Sequence, residues 1–472
     1  MKERIYLLCL LTGLFITNHS IGQNFTLYNM NVVPQRTYLN PALIPQGSKI
    51  YVGLPALSSE QLSIRNSGFK YSDVIRHGDD DSLHIDVDNM LSKLSANNYL
   101  SVNYYPDILS FGIVADKNFF SFNVTEKIDV RFRYPKAFME FLWKGNGAYL
   151  DKEMKFDFGL DFSHYREYGL GFAREINDKL SVGAKVKYLY GMENFNIKRS
   201  DISIQTASED YAITAKANIE INSSGIISDS TSPEFNASQY AFSKKNSGFG
   251  IDLGATYKAT EKFTISASVI DLGFINWKDN PTNYVSHDQN AKFTYKGFEL
   301  NQLINGDSSS TKDIGKTLGD SLSKIFKIDT LHNSYKTNLS SKIYIGGNYS
   351  LTEKSTVGAI LFSQVFDKKF NNGLALSYDH QLAKWVNVSA TYSMFNKSYT
   401  NLGLGVALKG GPVQLYIVTD NVLGMIFPQN TKSIQFHFGI NLLFGKKKSE
   451  EASAATATPP PAETPTAPTP AK

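Results

Sequence analysis

The sequence predicts an all-β fold, an antiparallel transmembrane β-barrel of about fourteen strands, with sixteen as the alternative count. Three observations predict it. Segments of about 8 to 12 residues alternate between apolar and polar side chains, and the links between them are short on one side and long on the other. The 472-residue chain also holds 26 Tyr, 31 Phe and 34 Gly but only 3 Trp. Aromatic residues within alternating segments favour strands that meet apolar surroundings on one face.

The alternation is clearest in the last segment, residues 433–444. Every even position from Ile434 to Phe444 is apolar, whereas the odd positions are polar or small except for Leu443. Successive side chains of a strand point to opposite faces, so this segment has one apolar face. A soluble β-sandwich alternates in the same way, and the pattern of connections is needed to distinguish the two.

The connections favour a membrane barrel. Counted back from the C-terminus, short links fall on alternate connections, which places them all at one end; they are residues 177–179, 260–262, 352–354, 383–384 and 410–411. Longer loops, at 223–247, 271–341 and 420–432, fall at the other end. Short periplasmic turns and long external loops are typical of outer-membrane barrels.

Fourteen strands are predicted from these signals, and a further pair at 109–115 and 119–125 would raise the count to sixteen. The fourteen lie near 153–160, 167–175, 180–190, 195–204, 212–222, 248–258, 262–270, 342–350, 356–365, 373–381, 386–395, 401–409, 412–419 and 433–444.

The N-terminus predicts export. Lys2 and Arg4 precede an apolar run that ends at Ile16, which is typical of a signal peptide over residues 1–22. The run is too short for a membrane-spanning helix, which disfavours an uncleaved anchor. The only cysteine, Cys9, lies in this segment and too early in the run for a lipoprotein signal.

Three further parts follow. Residues 23–150 are expected to form an N-terminal plug-like segment, the first strands and a short helix, and residues 151–445 the remaining barrel strands with a long external loop at 271–341. Residues 446–472 hold 6 of the 16 prolines and no aromatic residue, which predicts a disordered Pro-rich tail in the periplasm.

Two short helices are predicted in loops. In KAFMEFLWKGNG, the side chains of Phe138, Phe141 and Leu142 share a helical face and Gly145 follows as a stop. A second helix is predicted at 313–328 in the long loop, where it would act as a lid or pack on the barrel rim.

Two motifs are candidate functional sites. Gly439, Leu442 and Phe444 in the closing strand resemble the C-terminal signal by which the barrel-assembly machinery recognises its substrates. Asn40-Pro41-Ala42 lies in a turn-prone context near the N-terminus and is a candidate plug motif.

Several stretches resemble an uncharacterised family of Bacteroidota outer-membrane barrels, a domain-of-unknown-function family. They are LYNMNVVPQRTYLNPAL, DILSFGI, HYREYGLGFAREINDKLSVGAKVKYLYGMENF and QLYIVTDNVLGM. More distantly, Asn40-Pro41-Ala42 and the strand number are similar to the long-chain fatty-acid transporter barrels, in which a plug and a kinked strand guide hydrophobic solutes. The resemblance implies an outer-membrane location and a barrel, without assigning a substrate.

The sequence holds no local signature of catalysis, metal binding or cofactor binding. No His-Glu-x-x-His, Gly-x-Ser-x-Gly or phosphate-binding loop occurs, and Asp379 and His380 fall on opposite faces of a strand. The acidic run Asp79–Asp88 around His84 lacks the calcium-loop pattern and is expected to be a solvated loop. Acidic and basic residues are interspersed at a net charge of +4, which indicates no nucleic-acid partner.

The expected function is therefore passage of a hydrophobic or amphipathic solute through the outer membrane, without enzymatic activity. The alternative is a non-transporting interaction barrel, accessory to protein secretion or surface assembly. Expected partners are outer-membrane lipid, the assembly machinery, the solute, and a periplasmic or cell-wall partner of the tail.

Overall fold

A computed structural model describes residues 24–78, 80, 82–225, 245–295, 326–366, 369–395 and 398–445. Its strands form a closed antiparallel barrel of fourteen strands, the first of which is interrupted. The barrel closes because the last strand pairs with both halves of the first, with Ile50 opposite Phe444 and Glu60 opposite Phe438. The predicted fold class and strand number are confirmed.

The barrel strands run in chain order. The first consists of β1 (Ile50–Gly53) and β2 (Glu60–Asn66). The others are β5 (Asn97–Ala115), β6 (Asn118–Pro135), β8 (Gly159–Glu175), β9 (Leu180–Thr206), β11 (Asn246–Lys258), β12 (Phe263–Trp277), β17 (Ser341–Thr352), β18 (Ser355–Phe366), β19 (Lys369–Ala383), β20 (Val386–Phe395), β21 (Ser398–Gly410), β22 (Val413–Thr419) and β23 (Ser433–Phe444).

Shorter strands and helices lie outside the wall. The strands are β3 (Ile75–His77), β4 (Leu83–Ile85), β7 (Glu153–Lys155), β10 (Ile213–Ser224), β13 (Thr282–Ser286), β14 (Lys292–Tyr295), β15 (Ile328–Leu331) and β16 (Tyr335–Asn338). The helices are α1 (Phe25–Asn29), α2 (Tyr71–Val74), α3 (Val87–Lys93), α4 (Lys136–Lys144) and α5 (Val422–Ile426), with 3-10 turns at Pro34–Tyr38, Gly147–Tyr149 and Pro428–Asn430. Within the described ranges, no helix is long and apolar enough to cross a membrane.

The wall is apolar outside and polar inside. In β21, the outward side chains Leu402 and Leu404 are 39% and 42% exposed, whereas the inward Asn401 is buried. In β23, the inward Gln435, His437 and Asn441 are buried and the even-numbered apolar residues point outward. This is the arrangement that a barrel surrounded by hydrocarbon requires.

All the predicted short links lie at one end of the barrel, where both β1 begins and β23 ends. The opposite end carries an extension. There β9 continues past the wall and pairs with β10, which in turn pairs with β13 and β14, while β15 adds to β13. The region predicted as one irregular loop from residue 271 therefore contains the end of β12 and four short strands; the helix predicted at 313–328 lies largely outside the described residues.

Three predicted barrel strands are wrong, and three others replace them. Residues 195–204 are the outer part of β9, because a bulge at Met192, opposite His164 and Tyr165, lets the strand continue through an apparent turn. Residues 212–222 form β10 of the extension, and 153–160 contains only the short β7 and the start of β8. The interrupted first strand, β5 and β6 take their places, so the predicted pair at 109–125 belongs to the fourteen.

Helix α4 forms where predicted, and Gly145 ends it with a positive φ of 72°. The rings of Phe138 and Phe141 lie 5.7 and 5.4 Å from that of Phe156. Leu142 does not share this packing, because it is 57% exposed.

Candidate functional site in the barrel lumen

Residues 24–45, here called the luminal segment, are buried inside the barrel. Their hydrogen-bond partners come from opposite sides of the wall. Tyr28 is hydrogen-bonded to Ser266 of β12, Asn29 to Ser377 of β19, and Asn24 to Gln61 of β2. Because the partners surround it, the segment occupies the lumen before the chain enters the wall at Ile50.

One side of the luminal segment is apolar. Phe25, Leu27, Tyr28, Met30 and Val33 are each at most 2% exposed and join one cluster with the wall. The wall contributes inward side chains of β12, β17–β19, β21 and β22, namely Ile270, Tyr344, Ile360, Phe362, Ala375, Ala407, Tyr416 and Val418. The ring of Phe25 meets that of Phe362 edge-on at 5.7 Å. Burial of this apolar surface favours the docked segment.

Hydrogen bonds fix both ends of the segment. At the long-loop end, the carboxyl group of Asp420, between β22 and α5, accepts hydrogen bonds from the backbone amides of Phe25 and Thr26 at 3.0 and 2.9 Å. Nearer the short-turn end, the amides of Gln35 and Asn441 form reciprocal bonds of 2.7 and 3.0 Å. All four of these contacts are non-covalent.

The structure places the Asn40-Pro41-Ala42 turn against the wall. Asn40 Oδ1 accepts from the backbone amide of Ala42 at 2.9 Å, which closes the turn. Two wall glycines make room for it: a Cβ on Gly183 would lie 2.5 Å from the carbonyl carbon of Pro41, and one on Gly254 would lie 2.1 Å from Asn40 Oδ1. Only glycine permits this approach of backbone to wall.

A charged cluster from six neighbouring strands of the wall, β6 to β17, lines the other side of the lumen. The ammonium group of Lys187 contacts three carboxylates, at 2.6 Å from Asp271, 2.8 Å from Asp252 and 3.4 Å from Glu167. Lys342 contacts the second oxygen of Asp271 at 2.6 Å. The cluster also contains Lys127 and Lys185. Buried charges persist only when paired in this way.

Tyr38 joins the luminal segment to the charged side. Its hydroxyl donates to Asp107 of β5 at 2.7 Å, and the ammonium of Lys185 lies 4.2 Å from the centre of its ring. Lys185 also bonds Asn123 of β6 at 3.1 Å. The segment and the charged cluster thus fill the barrel cross-section side by side.

Two cavities lie along the barrel axis. The inner one, about 60 Å³, lies between the luminal segment and the charged cluster. The outer one, about 790 Å³, opens toward the long-loop end and is lined largely by polar side chains such as Arg131, Asp161, Asn194 and Tyr335. A solute of moderate size fits the outer cavity, whereas the inner one holds only a few waters.

The wall itself is interrupted beside the inner cavity. Residues 54–59 separate β1 from β2, and on the β23 side they face only Gly439 and Ile440. Leu57 is 40% exposed on the outer surface, while Ser58 and Ser59 are buried. Bonds between Ile440 and both Leu54 and Leu57, of 2.9 and 2.8 Å, keep the ladder closed across the interruption.

Gly439 lies in this same region. A Cβ there would lie 2.0 Å from the carbonyl oxygen of Ser58, so the interruption requires glycine. Leu442 pairs with Val52 and Val413 on the outward face, and Phe444 is 44% exposed at the strand end. Their part in recognition by the assembly machinery stays a prediction.

Three further polar side chains of the wall, His437, Asp379 and His380, have defined partners or positions. His437 is buried and lies 2.8 Å from Ser59 Oγ and 3.2 Å from the Tyr416 hydroxyl. Asp379 faces inward, and His380 bonds Ser355 instead. In the part of the chain that the structure describes, no group of three or more His, Cys, Asp and Glu side chains could hold a metal ion.

The charged cluster was not predicted. Each member occupies an inward position in a strand, so alternation marks it as luminal, but its partners lie on other strands. One sequence signal points to the cluster: Lys185 and Lys187 lie on the same face of one strand. Because buried charges must be paired, two inward lysines imply carboxylates on neighbouring strands.

No curated protein matches the chain. The chain is similar to the solved structure of a Pseudomonas aeruginosa FadL homologue at 11% identity and a TM-score of 0.43, covering 91% of this chain and 99% of that one. It is also similar to the Ralstonia pickettii toluene transporter TbuX, at 10% identity and a TM-score of 0.42 over 88% of this chain and 95% of that one.

The Pseudomonas putida toluene transporter TodX is similar at 10% identity and a TM-score of 0.36, over 90% and 93% of the two chains.

A family model matches residues 41–420, which is most of the sequence. The chain belongs to the family of unknown function DUF5723.

Proposed function

We propose that the protein is an outer-membrane barrel that passes a hydrophobic or amphipathic solute, with the luminal segment as a movable plug. The observation that carries this proposal is the apolar cluster. If the luminal segment moves, it uncovers inward apolar side chains of the wall, among them Ile360, Phe362 and Val418. An otherwise polar lumen would then contain an apolar surface, which suits a solute with apolar parts better than a fully hydrated one.

The charged cluster supports an asymmetric route. It fills the β6–β17 side with paired, buried charges, so water and ions gain little space there. The route would follow the other side, between the wall and the displaced luminal segment. The interruption at residues 54–59 lies beside this space, and hydrogen bonds between Ile440 and both Leu54 and Leu57 keep the wall closed there.

A disulfide across the plug tests the proposal. A Cβ on Gly403 of β21 would lie 2.3 Å from Thr26 Oγ1, so cysteines at these two positions are close enough to be joined. The only natural cysteine is Cys9. We expect the Thr26→Cys/Gly403→Cys double variant to lose solute uptake into proteoliposomes when the disulfide is formed and to recover it when the disulfide is reduced. In the control, Gly403→Cys alone, uptake should not change on oxidation. Uptake that persists in the cross-linked barrel would contradict a movable plug.

The second candidate function is an interaction barrel. The observation that favours it is the β9–β10–β13 extension beyond the wall, which offers a structured surface at the long-loop end. Affinity capture with the whole chain and with a chain lacking residues 446–472 would test it, since partners that require the tail support a scaffold.

A further inference from the structure

The inner wall changes from apolar to polar at one level on β17, β18 and β19. Ile360 of β18 lies opposite Ala375 of β19, and both belong to the apolar cluster. Two residues further toward the short-turn end, Gly358 lies opposite Ser377 and Asn348. The wall that the luminal segment covers is therefore amphipathic along the barrel axis.

Three oxygens converge above Gly358. A Cβ there would lie 2.5 Å from Asn348 Oδ1, 2.7 Å from Ser377 Oγ and 3.1 Å from Asn29 Oδ1. Asn29 is only 3% exposed. Neither amide oxygen accepts a hydrogen bond from the protein groups that the structure describes.

The neighbouring inward positions continue this polar surface. Asp379 lies opposite Ser389, and Ser377 opposite Thr391, across β19 and β20. All four are buried. Among the described residues, Asp379 Oδ2, Asn387 Oδ1, Ser389 Oγ and Thr391 Oγ1 also have no hydrogen-bond partner. We call the wall part of this surface the polar patch; it consists of Asn348, Ser377, Asp379, Asn387, Ser389 and Thr391, and Asn29 of the luminal segment covers it.

The polar patch is rich in acceptors. Its unpartnered atoms are three amide or carboxyl oxygens and two hydroxyls. Arg36 of the luminal segment is the nearby cation and interacts electrostatically with Asp379. Buried acceptors without partners are costly, so a ligand that donates hydrogen bonds here gains affinity.

We propose that the polar patch binds the head group of an amphipathic solute whose head donates hydrogen bonds, such as an alcohol or an amine, while the apolar cluster binds its chain. This inference rests on the proposed function, because the solute reaches the patch only when the luminal segment moves. It deepens that function by disfavouring carboxylates, which would bring further acceptors to an acceptor-rich surface.

Photolabelling separates the possible outcomes. The intact protein in lipid nanodiscs is exposed to four diazirine-bearing twelve-carbon probes: an alcohol, an amine, a carboxylate and an alkane. Adducts are mapped by mass spectrometry. We expect the alcohol and the amine to label luminal positions near Tyr344 and Phe362 about tenfold more than the carboxylate and the alkane. Outward positions of the wall should be labelled equally by all four.

Ser389→Ala combined with Thr391→Val removes two hydroxyls of the patch at nearly constant volume. We expect this variant to lose most of the preference for the alcohol and the amine. The control Ser393→Ala, at the next inward position of β20, should keep it. Folding of each variant is checked by its heat-modifiable migration on a gel.

Equal luminal labelling by all four probes, or a preference for the carboxylate, would overturn the inference and leave the proposed function standing. Labelling of the outer wall alone by every probe would overturn both.

Discussion

The carboxyl group of Asp420 accepts a hydrogen bond from the backbone amide of Phe25 at 3.0 Å. The loop between the last two strands therefore holds the first residues of the luminal segment. The contact links the outer end of the barrel to the contents of its lumen. It is also a contact that pH can change. Burial raises the pKa of Asp420 to about 6, against the opposing effects of bonds from Thr26 and Phe25 and of the Arg65 charge.

The sign of the pH effect follows from this raised pKa. In the docked state the carboxyl holds its proton up to about pH 6, but once exposed to water it loses the proton near pH 4. Docking of the luminal segment is therefore strongest below pH 4 and weakens by about a hundredfold as the pH rises to 6. Asp420→Asn should remove this dependence, because an amide does not titrate in this range.

A buried reporter measures docking. Leu27 is 1% exposed, so Leu27→Cys should react with a thiol reagent only when the luminal segment leaves its site. Rates are normalised to Lys179→Cys in an exposed turn, which corrects for the reagent's own pH dependence. The account of Asp420 is wrong if Asp420→Asn retains the pH dependence of the reporter.

The turn at Asn40 should depend on its glycines. Gly183→Ala would place a methyl group 2.5 Å from the carbonyl carbon of Pro41, where only backbone can yield. We expect an overpacking cost of about 1–3 kcal/mol and reporter labelling at least about fivefold faster. Gly410→Ala is the matched control, since nothing lies within 4 Å of its Cβ. Unchanged labelling in Gly183→Ala would mean that the turn does not pack as described.

Lys187 should be essential to the charged cluster. Lys187→Met leaves Glu167, Asp252 and Asp271 facing one another without their shared cation, and we expect a loss of about 3–5 kcal/mol in the free energy of unfolding. Denaturant titration measures the loss. Lys179→Met should show no such loss, and a Lys187→Met barrel of full stability would contradict the role given to the cluster.

The outward face should tolerate no charge. Leu404 lies at the middle of β21, and Leu404→Arg should cost about 2–4 kcal/mol if the wall meets hydrocarbon there. Glu353→Arg, in an exposed short turn, should cost little. Folding into lipid vesicles at graded urea concentration compares the two variants. Equal stability of both would argue against a membrane-embedded wall.

The sequence predicted the barrel strands β11, β12 and β17 to β23 well because their signals are local. Each is a single alternating run bounded by a short turn, and β23 alternates without interruption. The first strand escaped prediction because Leu54–Ser59 interrupts the alternation, and neither half is long enough to span a membrane. The long β9 was divided because the bulge at Met192 resembles a turn when its partner strand is unknown.

The candidate site was less predictable because its chemistry depends on register. Asn40 was singled out from turn chemistry, but Gly183 and Gly254, which admit it, lie more than a hundred residues away. The three carboxylates around Lys187 come from three strands, and only the pairing of those strands brings them together. Alternation gives the face of a residue and leaves its partners undetermined.

Single-channel conductance in planar bilayers, comparing the intact protein with a chain lacking residues 24–47, tests directly whether the luminal segment plugs the barrel. The intact barrel should be silent, because the luminal segment and the charged cluster together fill its cross-section. The shortened chain should conduct, though less than an empty fourteen-stranded barrel, because the charged cluster remains. Silence in both, with each barrel shown to be folded, would contradict a plug and favour a scaffold.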